Sequence, residues 1–207
     1  MSIVLYHHPF SRAATVIWML EEVSVPYELR YVDLMKGEQK APEFLAKNPM
    51  GKLPTLVDGD TVVTEVAAIG LYLADRYGQG KLAPALDDPR RGTYYRWALF
   101  APSVIEPGSM AQAAKWEFKP GQAGFGDYAS MLATMEHAVS QGEYLLGADF
   151  TMADVIFGAT LRYMLRFKMI EPRESFTAYA KRLEKREALT RADARNAAII
   201  AERGLGG

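Results

Sequence analysis

The strand signals of this chain stop at residue 63, with more than two thirds of its 207 residues still to come. A chain divided in this way cannot close one large sheet. It must build a small sheet early and bury its remaining apolar residues among helices. Ile3 to Tyr6 is a short apolar run, HPFS interrupts it, and Val16, Leu20 and Val23 then recur at helical spacing. Tyr27 to Asp33 alternates as a second strand, and KGEQKAPEFLAKNPMG carries turn residues with one short amphipathic piece around Phe44 and Leu45. Leu53 to Val57 and Thr61 to Val63, joined by Asp58-Gly59-Asp60, read as a hairpin. Ala67 to Tyr77 follows as a helix, with Ile69 and Leu73 one turn apart. The predicted order is strand, helix, strand, strand, strand, helix.

Beyond Tyr77 the stretch GQGKLAPALDDPRRG is rich in Gly, Pro and charge, and predicts a break between domains. The expected layout is a first domain over 1–78, a linker over 79–90 and an all-helical domain over 91–207. Within the last, Tyr128, Met131, Leu132, Met135 and Val139 follow one helical stripe. Thr151-Met-Ala-Asp154 reads as a capping box at a helix start. Pro102 and Pro107 are expected to kink or end the helix that carries them.

Composition removes several function classes. The 24 basic and 25 acidic residues nearly cancel, which argues against a general nucleic-acid binder. The absence of cysteine excludes disulfides, thiolate metal sites and any nucleophilic thiol of the protein's own. If thiol chemistry occurs, the ligand brings the sulfur. His7 and His8 are adjacent, so in an extended segment they point to opposite sides, and His137 is far away, which leaves no zinc spacing. No apolar run reaches the length of a membrane span, and MSIVLYHHPF lacks the layout of a signal peptide. The expectation is a cytoplasmic protein with no membrane or nucleic-acid partner and no metal.

The stretches LYHHPFSRAATVIWMLEE, VDLMKGEQKAPEFLAKNPMGKLPTLVDGD and VVTEVAAIGLYLADRY resemble the N-terminal domain of the glutathione transferase family, closest to its theta-like and related bacterial members, and TMADVIFGATL resembles the capping-box helix of its C-terminal domain. The resemblance implies an α/β thioredoxin-like N-terminal domain followed by an all-α helical-bundle C-terminal domain. It also implies a homodimer that uses reduced glutathione as co-substrate and attacks a small hydrophobic electrophile with the glutathione sulfur. Peroxidase or isomerase chemistry would use the same site. A non-catalytic binding or assembly module on the same fold is the competing reading.

A free cysteine thiol has a pKa of about 8.5, so such an enzyme needs a thiolate stabiliser. Ser11, where the first strand gives way to the first helix, is the candidate, although a serine there also fits a plain helix cap. Tyr6 is its rival, and Arg12 is a candidate partner for a ligand carboxylate or the thiolate. By resemblance, Pro54 is a cis proline that exposes the backbone of Leu53 to the cysteinyl part of glutathione. Glu65 would face the ligand's amine. Val66 stands where the family usually has a serine whose hydroxyl joins its own amide on the γ-glutamyl carboxylate. Gln39 replaces a histidine common in theta-like members, and Lys52 is the nearby cation that compensates for it. Phe10, Tyr94, Trp97, Phe100 and Met110 are the expected lining of the hydrophobic substrate pocket, a stripe that also fits simple core packing.

Overall fold

A computed structural model describes residues 3–206, and the chain separates into two compact units. One comprises the chain up to Gly78 together with Arg186 onward, and the other comprises Gln79–Lys185.

In the first unit, strand β1 (Ile3–His7) is followed by helix α1 (Ala13–Val23) and strand β2 (Tyr27–Tyr31). The short helix α2 (Pro42–Leu45) leads to strands β3 (Thr55–Asp58) and β4 (Thr61–Thr64), and helix α3 (Val66–Tyr77) closes the segment. The sheet order is β2-β1-β3-β4. The β1 and β2 strands run parallel, which requires the α1 crossover, whereas β3 is antiparallel to both β1 and β4. The hairpin turns through Gly59, whose φ of 60° suits a residue without a Cβ. Leu5, Ile17, Leu20, Leu56, Ile69 and Leu73 are fully buried and form the main core. A second cluster brings Tyr6, Val32 and Phe44 together with Leu53 and Val57.

Helix α9 (Glu187–Glu202) belongs to this first unit and not, as expected, to the helical domain. Long-range charge pairing explains why sequence periodicity misassigns it. Arg186 grips Glu22 through Nε and Nη2 at 2.6 and 2.8 Å, Arg191 Nε donates to Glu21 at 2.7 Å, and Arg195 Nε lies 3.0 Å from the same carboxylate. Tyr27 also donates to Glu21, at 2.6 Å.

His7, fully buried, ties α9 down as well. Its Nε2 lies 2.8 Å from Asn196 Oδ1, while Nδ1 has no hydrogen-bond partner. Burial, only partly offset by Asn196, lowers its pKa from the ordinary 6.5 to about 4. Between these two values the unfolded chain binds a proton that the folded chain refuses, so stability is complete above 6.5 and falls as the pH drops toward 4. The loss attributable to His7 amounts to about 3 kcal/mol at the acid end. A His7→Gln variant offers Asn196 an amide that does not titrate. Its denaturant-unfolding free energy is expected to fall less steeply across that window than that of the wild type, and parallel curves would show that His7 carries none of the acid sensitivity.

The second unit is helical. The stretch expected as a linker over 79–90 is packed into it, with Leu82 and Ala83 buried and the Met152 amide donating to Leu82 O at 2.8 Å. Helix α4 (Arg91–Phe100) runs through one π-helical turn (Ala101–Ile105) into α5 (Glu106–Ala113). Pro102 and Pro107 therefore do not end the helix. The Glu106 amide reaches back five residues to Ala101 O, so a wider turn absorbs the amides that the prolines lack. Helices α6 (Tyr128–Ser140), α7 (Met152–Arg166) and α8 (Glu174–Leu183) complete the unit. The capping box at α7 is present, and Asp154 extends it into a buried hub. The carboxylate accepts from the Leu145 amide and the Tyr179 hydroxyl on Oδ1, at 2.8 and 2.7 Å, and from the Thr151 amide and hydroxyl on Oδ2, at 2.8 and 3.1 Å.

Candidate functional site

Strand register decides which loops can form a site. Tyr6 pairs with Thr55, Thr55 pairs with Thr64, and His7 pairs in parallel with Tyr31. The ends of β1, β2 and β4 and the beginning of β3 therefore meet at one edge of the sheet. The loops carrying Ser11, Gln39, Leu53 and Glu65 all leave from that edge. The first residues of α1 and α3 follow directly, so two helix N-termini, each with partial positive charge, serve the same region.

Ser11 follows a turn that begins at His8 and carries Pro9 at its first central position. The Ser11 amide donates to His8 O at 3.0 Å and the hydroxyl donates to the same carbonyl at 2.7 Å. Ser11 Oγ in turn accepts from the Ala13 amide at 3.2 Å, which caps α1. The helix-cap role and exposure to a ligand are compatible, because the side chain is half-buried. Arg12 occupies the N-cap position with a helical φ of −62°. Tyr6 is buried, stands edge-on to Phe44 with ring centroids 5.5 Å apart, and accepts from Arg30 Nη1 at 3.0 Å. That environment is a packed core, which weakens Tyr6 as a rival to Ser11.

The Leu53–Pro54 bond is cis, and Leu53 lies outside the β3 ladder, which starts at Thr55. Asn48, which sequence reading passes over, organises this loop. Its buried side chain donates from Nδ2 to Lys52 O at 2.9 Å and to Thr55 Oγ1 at 3.2 Å, while Oδ1 accepts from the Met50 amide at 3.1 Å. The local signal was the run Asn48-Pro49-Met50-Gly51, a turn with a side chain suited to bonding its own backbone. Gly51 has a φ of 60°, and a Cβ there would come within 2.7 Å of Gln39 O and of Lys40 Nζ. The loop is thereby pressed against the segment that carries Gln39. Gln39 Oε1 is buried without a hydrogen-bond partner, and Lys52 is exposed.

Glu65 has a φ of 65° and a ψ of 124°, in a region that non-glycine residues rarely occupy. Such backbone costs about 1 to 3 kcal/mol and persists where the surroundings impose it, often at ligand sites. Glu65 is exposed, and Val66, half-buried, is the first residue of α3. The edge thus offers an extended backbone segment, an acid, a hydroxyl and two amide-rich helix starts. It suits an extended, peptide-like ligand with an anionic end.

The expected hydrophobic lining divides. Tyr94 and Trp97 are buried in the core of the helical unit, where Trp97 packs against Phe157 with ring centroids 6.1 Å apart. Their spacing reflects the face of α4 packed toward α7 and does not mark a pocket. Phe100 is half-buried, and Met110 and Phe10 are exposed, at 48% and 54%. Among the described residues no group of three His, Asp or Glu is placed to hold a metal ion, and no helix is long and apolar enough to cross a membrane.

Comparison with known proteins places these features. The family described as glutathione S-transferase, N-terminal domain, matches residues 1–75. Glutathione S-transferase F10 of Arabidopsis thaliana is 29% identical over 205 residues, covering 91% of this chain and 94% of its own. Glutathione S-transferase 3 of Zea mays is 32% identical over 166 residues, covering 72% of each chain. Among solved structures, a Phanerochaete chrysosporium glutathione transferase in complex with oxidized glutathione is 28% identical, with a TM-score of 0.78 over 96% of this chain and 97% of its own.

Proposed function

The chain belongs to the glutathione S-transferase family, and we propose that it binds reduced glutathione along the sheet edge that carries Ser11, Leu53 and Glu65 and activates its thiol for attack on a small hydrophobic electrophile. The observation that carries this reading is the register that brings those three loops and two helix starts to one edge. The Leu53 backbone pairs with the cysteinyl residue as an added strand would. The γ-glutamyl carboxylate sits on the Val66 amide at the start of α3, with Glu65 toward the ligand's amine. Gln39 and Lys52 serve the glycyl carboxylate. Ser11 turns its hydroxyl from the His8 carbonyl to the sulfur, and exchanges a neutral hydrogen bond for a charged one that favours the thiolate. The thiol proton passes to solvent. The sulfur then bonds to the electrophilic carbon and the leaving group departs with its electron pair.

Of the expected lining, Phe10 in the first unit is exposed, lies next to Ser11 in the chain and is suited to meet an apolar second substrate, while in the second unit Met110 is exposed and Phe100 half-buried. A cytoplasmic homodimer completes the reading. Peroxidase or isomerase chemistry would draw on the same thiolate. A non-catalytic binding module is favoured by one observation, the replacement of polar or cationic ligand contacts by Val66 and Gln39.

Val66 supplies the test. One missing hydrogen bond to a charged group is worth about 1.5 to 3 kcal/mol, or roughly tenfold to a hundredfold in affinity. Calorimetric titration with reduced glutathione is expected to show binding by the wild type that tightens by that factor in Val66→Ser. Absence of heat with both proteins would overturn the glutathione site itself.

A further inference from the structure

Three hydrogen bonds converge on His8. The His8 carbonyl accepts both the amide and the hydroxyl of Ser11, at 3.0 and 2.7 Å. The His8 imidazole accepts the Phe10 amide on Nδ1, at 3.2 Å. That amide belongs to the second central residue of the turn. The ring is nearly buried, at 5% exposure, and is held between Phe10 and Tyr31, with centroid distances of 5.7 and 5.4 Å. We infer that His8 is a positioning residue for Ser11, with its imidazole locking the turn from inside so that the hydroxyl stands at a fixed place beside the start of α1. This inference rests on the reading of Ser11 as the thiolate stabiliser.

The geometry requires a particular state of the ring. An Nδ1 that accepts from an amide carries no proton, so the proton of the neutral imidazole sits on Nε2. Protonation would put two donors, Nδ1–H and the Phe10 amide, face to face. Burial lowers the His8 pKa from its ordinary value, Asp33 acts in the opposite direction, and His7, itself pushed to the neutral form, lies alongside. Arg203 stacks on Tyr31, 3.7 Å from its centroid, which adds a cation to the ring that His8 packs against. The lock is therefore closed in the neutral range.

A hydroxyl displaced by a fraction of an ångström loses much of its effect on the sulfur. Misplacement by about 1 Å costs up to about a hundredfold in rate, so a loosened turn is expected to cost about tenfold. Two amides test this. Asparagine carries its oxygen near the position of Nδ1, whereas glutamine, one methylene longer, carries its oxygen beyond it. The measurements are the ultraviolet absorbance of bound glutathione thiolate across pH and turnover with a chlorodinitrobenzene, on wild type, His8→Asn, His8→Gln and Ser11→Ala. His8→Gln is expected to raise the thiol pKa and lower kcat about tenfold while KM for glutathione stays within about threefold, and His8→Asn is expected to remain near the wild type.

If Ser11→Ala raises the thiol pKa and His8→Gln leaves it unchanged, the inference about His8 is overturned and the function of Ser11 stands. If Ser11→Ala itself leaves the thiol pKa unchanged, the role of Ser11 fails and that of His8 fails with it. Should the histidine variants not fold, nitrogen NMR of the wild-type complex with glutathione decides. An unprotonated Nδ1 on His8 supports the lock, and a protonated Nδ1 overturns it.

Discussion

Asp154→Ala is expected to lower the unfolding free energy by about 4 kcal/mol, the largest single loss of stability foreseen for this chain. The carboxylate is buried and accepts from Leu145, Thr151 and Tyr179. Its removal strands two amides and a phenol away from water, each at about 1 to 3 kcal/mol. Part of that cost is returned, because burial pushes the Asp154 carboxyl above the ordinary range and its loss releases that desolvation. Only the half of the α7 capping box that holds the Thr151 amide is lost, because the Thr151 side chain still accepts from the backbone amide of residue 154. Asp154→Asn is expected to fall between the two, since its amide oxygen can still serve Leu145 and Tyr179 while its NH2 meets the Thr151 amide as one donor facing another. Denaturant unfolding followed by circular dichroism gives the comparison. A loss below about 1 kcal/mol for the alanine variant would mean that the hub is dispensable.

Ser11→Ala should reduce kcat/KM about a hundredfold, the effect of removing one preorganised donor from a developing or bound anion. The thiol of bound glutathione should move back toward about 8.5 while its affinity changes little, because the ligand's carboxylates and backbone have other partners. Stability should drop as well, by about 1 kcal/mol, since Ser11 Oγ also caps α1 through the Ala13 amide. Ser11→Thr keeps the hydroxyl and is expected to retain both the cap and the donor to the sulfur. Turnover and thiol pKa both unaltered in Ser11→Ala would refute the assignment.

What could be read from the sequence was what depends on neighbours in the chain. The alternation of β1 to β4, the period of α1, α3 and α6, and the Thr151–Asp154 box are local signals, and the folded elements follow them closely. The placement of Ser11 between strand and helix was legible for the same reason. Other features depend on partners far along the chain. Glu21 and Glu22 show nothing in sequence of the arginines of 186–195 that they bind, so α9 was assigned to the wrong unit. Tyr94 and Trp97 resembled a pocket wall because an apolar stripe records burial without recording what covers it. The π turn escaped because the prolines were expected to kink or end the helix, whereas one turn of wider winding accommodates them. Asn48 and His8 were unremarkable letters whose importance lies in the hydrogen bonds they collect.

The membership of α9 in the first unit bears on how this chain can be made and exchanged. During synthesis the N-terminal sheet emerges first, yet His7, Glu21 and Glu22 have to wait for residues 186–196 before they meet their partners, so the unit made earliest is among the last to be completed. A gene fusion cut anywhere between residues 79 and 185 would separate Glu22 from Arg186. Recombination that keeps both units whole needs two crossovers, with the helical unit inherited as an insertion within its neighbour.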